Sequence, residues 1–132
     1  MHTQKLPQNF KRIHLELARE REHPQGSRAF SYSLIAPLDR DGHIDGGAWQ
    51  AHKDACEVIR SRPDHDPVLG HLRRRPGGSW AFHYEIDGRE DDDPGYRFDK
   101  HRFVVGEYVT LIEDDGQHPY RVTRVEELQS KA

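Results

Sequence analysis

Cys56 is the only cysteine of the chain, so no intramolecular disulfide can form and no CxxC pair exists to hold a metal or exchange electrons. A reducing cytoplasm is the compartment this predicts. Nowhere does the sequence approach the roughly 20 consecutive apolar residues of a membrane helix, and Met1 to Lys5 lead into no apolar signal core. An excess of one charge is missing as well. Twenty basic and 23 acidic residues leave a net charge of −3, with ten of each sign in residues 1–66. That balance excludes a global attraction to nucleic acid or anionic membrane and leaves room only for a local basic patch. Phosphate-loop chemistry is absent too, because Pro76-Gly77-Gly78-Ser79 precedes no helical pattern. No catalytic or cofactor signature occurs, so a cofactor is not expected and an enzyme is disfavoured.

What the 132 residues do contain is alternation. Ile13, Leu15 and Leu17 alternate with polar residues; on a helix, Leu15 would point about 200° away from Ile13, so a strand fits better. Phe30, Tyr32 and Leu34 repeat the pattern until Pro37 ends it. Val68 to Arg75 and Ser79 to Asp87 form a predicted hairpin, with Trp80, Phe82, Tyr84 and Ile86 on one buried face. Tyr96-Arg97-Phe98 opens a further short strand, and the acidic run Asp87 to Gly95 reads as a solvated loop.

The segment Phe103 to Val125 reads as two strands folded about Asp115-Gly116, a pair suited to the positive φ of a tight turn. Its polar residues Glu113, Asp114, Asp115, Gln117 and His118 gather at the turn, as solubility alone would require. One helix interrupts the strands, N-capped by Asp45 and running through Ala48 to Cys56. Together these elements predict one mainly β domain over residues 1–132, a small antiparallel barrel or sandwich of about seven strands with one short inserted helix. The termini, 1–10 and 127–132, are expected to fray.

Two resemblances follow from particular strings. Gly106-Glu107-Tyr108-Val109, the hairpin about Asp114-Asp115-Gly116, and Tyr120-Arg121-Val122 with Val125 resemble the rhythm of SH3-like barrels over residues 103–126. That resemblance implies a barrel and a tendency to bind partners. Pro76-Gly77-Gly78-Ser79-Trp80-Ala81-Phe82, His101-Arg102-Phe103-Val104 and Gly106-Glu107-Tyr108-Val109 make the chain similar to a family of small uncharacterised bacterial proteins. This second resemblance implies no activity, ligand or catalytic residue.

Three functional readings arise. The first is a binding or accessory module with a protein partner. The second is a nucleic-acid-associated barrel in which Arg73, Arg74 and Arg75 hold phosphates beside an exposed Trp80 or Tyr84; the bland alternative is a surface run paired with the acidic loop. The third is a metal site on His52 and Cys56, spaced i, i+4 on the predicted helix, with His65 or His71 as a further ligand. A small buried thiol beside a half-exposed histidine explains that spacing equally simply.

Overall fold

The computed structural model describes residues 6–75, 80–86, 89–94, 102–113 and 116–128. Eight strands follow the chain: β1 (Phe10–Leu17), β2 (Ser27–Pro37), β3 (Glu57–Ser61), β4 (Val68–Arg74), β5 (Trp80–Ile86), β6 (Arg89–Pro94), β7 (Tyr108–Glu113) and β8 (Gly116–Glu127). Helix α1 (Gly46–Ala51) and a 3-10 turn (Lys53–Ala55) lie between β2 and β3. All neighbours are antiparallel, in the order β6-β5-β4-β3-β2-β1-β8-β7. This is a meander wound on itself, because β8 returns beside β1 and places β7 at the far edge. Twist curls the sheet into a half-barrel, and its edge strands β6 and β7 come within 8 Å in Cα positions.

The mainly β expectation thus holds, with local differences. The segment 57–61 pairs with both β2 and β4 as β3, a strand too short to stand out by alternation. The acidic run expected as a loop continues the ladder as β6, where backbone pairing to β5 outweighs poor strand propensity. Tyr96-Arg97-Phe98 lies outside the described residues. Glu113 of β7 pairs with Gly116 of β8, and residues 114–115 of the expected turn lie outside the described residues.

Alternation fills the interior as expected. Ile13, Leu15, Leu17, Tyr32, Leu34, Ala36, Phe82, Tyr84, Val109, Leu111, Tyr120 and Val122 are all buried. Gly70 of β4 is a packing requirement, since a Cβ there would sit 2.4 Å from the His83 carbonyl oxygen and 2.7 Å from the Tyr84 ring.

The two ends of the half-barrel differ. At the end where β2 stops and β5 begins, Asp45 caps α1 by accepting the Ala48 N–H at 3.1 Å, as expected. The helix drops Trp49 into the end of the barrel. Its ring meets Trp80 edge-on at 5.1 Å and its Nε1–H donates to the Leu72 carbonyl at 3.0 Å. Phe103, whose N–H donates to the Gly42 carbonyl at 2.8 Å, completes this plug. The other end carries the β1–β2, β3–β4 and β7–β8 connections.

Candidate functional site

Those connections surround a cleft of about 430 Å³, with Leu17, Phe30 and Pro63 as apolar wall and Glu20, His23, Arg62, Glu113 and His118 as polar groups. Its shape rests on the β1–β2 connection. Glu20 and His23 exchange two backbone hydrogen bonds of 3.0 Å, and Gly26 follows at φ +74°. A side chain at Gly26 would meet the Leu17 carbonyl oxygen at 2.6 Å, so only glycine lets this connection fold against β1.

Strand periodicity carries the polar residues inward. Val109, Leu111 and Glu113 occupy alternate positions of β7, and Val122, Tyr120 and His118 do the same on β8. The alternation that buries four of these side chains therefore brings a carboxylate and an imidazole to the barrel mouth.

The Glu113 side chain is only 7% exposed. The Tyr32 and Tyr120 hydroxyls both donate to its Oε2, the latter at 3.1 Å, and Arg62 Nη2 stands 3.6 Å from the same oxygen. Two neutral donors and one guanidinium are what a carboxylate removed from water needs. His118 lies between two carboxylates, with Nδ1 at 2.9 Å from Glu20 Oε1 and Nε2 at 3.8 Å from Glu113 Oε1. Glu20 Oε2 in turn faces His23 Nδ1 at 3.3 Å. Burial first pushes the Tyr32 and Tyr120 phenols above their usual range, followed by Tyr84 and then the Glu113 charge at Tyr32 and by the Glu113 charge at Tyr120. Both rings therefore act as fixed donors. A His118 that gives Nδ1–H to Glu20 turns Nε2 toward Glu113, where it can accept a proton or, once protonated, donate one.

The residues singled out from sequence lie elsewhere or apart. Helix α1 ends at Ala51, so His52 and Cys56 do not share a helical face. The His52 ring meets Phe10 edge-on at 5.5 Å. The Cys56 thiol is fully buried, donates to the His52 carbonyl at 3.8 Å, and is pushed up to about 12 by burial. His65 lines the cleft rim, with Nδ1 2.9 Å from the Pro63 carbonyl. His71 pairs in register with Glu57 and His83, next to the inward-facing Leu72. The four candidate ligands are not brought together.

Among the described residues, the group whose ligand atoms do lie within 4.8 Å of one another is Asp39, Asp41 and His43. Its Asp39 Oδ1 accepts the Asp41 and His43 backbone N–H groups at 2.9 and 3.0 Å, which accounts for the group as a loop clasp and holds the Asp39 carboxyl below its usual range, the His43 N–H contributing most.

Arg73, Arg74 and Arg75 are exposed, but the aromatics they were to work with are not: Trp80 and Tyr84 are core residues. Arg74 lies over the Trp80 ring at 5.1 Å and covers it. The acidic residues of β6 that were to pair with the arginines have no described side chains.

Tyr32, Arg62, Glu20 and Tyr120 escaped the sequence reading because no short motif holds them; Tyr32 and Glu113 are 81 positions apart. One usable signal was present, since continuing the Val109–Leu111 alternation by one step points Glu113 inward. No protein-family model, curated protein or solved structure matches this chain, so the chemistry of the site stands on its own residues.

Proposed function

We propose that the protein is a binding module that takes a small molecule in the mouth of its half-barrel. The observation that carries this reading is Glu113, a nearly buried carboxylate held by two tyrosine hydroxyls and flanked by Arg62 and His118 at the floor of an open cleft. Stability alone gives little reason for such a group, because a buried charge network contributes no more than well-packed apolar residues of equal volume. Its volume also falls within the range of about 300–1,000 Å³ typical of ligand sites.

The ligand class follows from the wall and floor. Glu113 Oε1 and His118 Nε2 face each other across 3.8 Å, which suits a head group that both donates and accepts hydrogen bonds. Leu17, Phe30 and Pro63 suit a compact apolar body. The SH3-like rhythm of residues 103–126 supports a partner-binding role, and that hairpin supplies Glu113, His118 and Tyr120 to the cleft. A lone buried thiol suits a cytoplasmic setting.

The test is a fragment screen by two-dimensional amide NMR, using neutral amides, carboxylates and amines of similar size. Hits that shift Glu20, Arg62 and His118 and vanish in Glu113→Gln support the reading. A screen in which no fragment maps to these residues contradicts it.

A further inference from the structure

A second cleft, of about 810 Å³, lies on the outer wall of β1, β8 and β7. Cross-strand register sets Glu16, Arg121 and Tyr108 in one row across these three strands. Arg19 and Arg28 reach the same cleft from the two arms of the β1–β2 connection, and the chain at Gly26 forms part of its lining. All three arginines are exposed, and Tyr108 is 58% exposed. None of the three guanidinium groups has a carboxylate within 4.0 Å among the described residues; Glu16, the acid of the cleft, faces His14 at 3.4 Å instead. A chain of net charge −3 thus gathers three arginines against one glutamate in a cleft that has an exposed aromatic ring at its edge.

Like charges gathered without partners repel one another, and a ligand with several linked negative charges relieves that repulsion. A planar ring at the β7 edge of such a patch, directly across from Arg121, adds a stacking surface. Base stacking on an aromatic face with arginines on the flanking phosphates is the way sheet surfaces hold single strands. We propose that this outer groove binds single-stranded nucleic acid, with Arg19, Arg28 and Arg121 on the phosphates and Tyr108 under a base. An acidic peptide would meet the arginines but leave Tyr108 without a flat partner. The groove is separate from the mouth cleft, and the proposal does not depend on what the mouth binds. It also moves the nucleic-acid surface away from Arg73–Arg75, where the neighbouring aromatics are buried.

The experiment is fluorescence anisotropy with a labelled oligothymidylate and a labelled oligouridylate of about a dozen nucleotides each. Three phosphate contacts predict a log–log salt slope of about −2. In Arg19→Gln/Arg28→Gln/Arg121→Gln, affinity should fall at least tenfold and the slope should flatten toward zero. Tyr108→Ala should weaken binding about fivefold or more while the slope stays unchanged. The control Arg73→Gln/Arg75→Gln should bind like the parent, and circular dichroism should show the same β signature in all variants. The proposal is overturned if neither oligonucleotide binds, if the control loses binding while the groove triple retains it, or if a polyglutamate peptide competes as strongly as the oligonucleotides.

Discussion

The two ends of the half-barrel hold nearly identical ring pairs put to different uses. Trp49 and Trp80 meet at 5.1 Å and 83° at one end; Tyr32 and Tyr120 meet at 5.1 Å and 80° at the other. Edge-to-face packing of this kind is favourable in both places. At the tryptophan end, the Trp49 indole N–H goes to a backbone carbonyl, and α1 with Phe103 closes the barrel. At the tyrosine end, both hydroxyls go to a carboxylate that Arg62 and His118 also face, and the cleft stays open. One end is built for closure and the other holds polar groups that closure does not need. Ring geometry alone does not separate a plug from a site; the group that receives the ring's hydrogen bond does.

Breaking the plug should produce the largest loss. Trp80→Ala is expected to cost about 3–5 kcal/mol in urea unfolding, while amide shifts of Glu20 and His118 at the opposite end move little. A loss below about 1 kcal/mol would mean that the tryptophan end does not close the core.

The next effect is alkaline and belongs mainly to the tyrosine end. Tyr32 and Tyr120 are held above their ordinary 10.0 in the folded protein, and Cys56 is raised from 9.0 to about 12. The unfolded chain therefore loses these protons first. Stability tied to the protonated groups is complete below about pH 9 and declines as pH rises beyond it. Removing one such group by Tyr32→Phe should make the decline of unfolding free energy between about pH 10 and 12 shallower, by up to about 1.4 kcal/mol per pH unit. An unchanged slope would detach Tyr32 from the buried cluster.

Smaller changes sharpen the contrast. Trp49→Phe keeps the ring contact but removes the donor to Leu72, and should cost about 1–2 kcal/mol by the same measurement. Arg74→Ala uncovers Trp80 and should cost less than about 1 kcal/mol.

The tryptophan end was the more legible in sequence. Asp45 marked the helix start, and Trp80 opened the buried face of β5 that period two announced. The helix end was not visible, because His52 and Cys56 have acceptable helical composition, whereas the chain leaves α1 at Ala51 and passes through a 3-10 turn at Lys53–Ala55 into β3. β6 was hidden for a related reason: consecutive acids predict solvent, whereas the ladder depends on backbone groups that every residue carries.

The tyrosine end was nearly illegible. Its members come from β1–β2, β2, β3–β4, β7 and β8, and meet only when the meander curls. Glu113 and His118 looked like turn residues kept polar for solubility. The structure instead places Glu113 inside, on the same face as Leu111.

The most direct test asks whether the polar cluster is there for the fold or for a ligand. Glu113→Leu alone takes the acceptor away from two buried tyrosine hydroxyls, and should cost about 3 kcal/mol or more. Adding Tyr32→Phe and Tyr120→Phe removes the orphaned hydroxyls and should return most of that loss, a non-additivity expected of groups acting as one unit. Urea unfolding of the triple variant, with amide NMR of the fragments that bind the parent, decides the matter. The account predicts stability within about 1 kcal/mol of the parent and no fragment binding at the mouth. A triple variant that is as unstable as the single one, or that binds the same fragments in the same place, would contradict it.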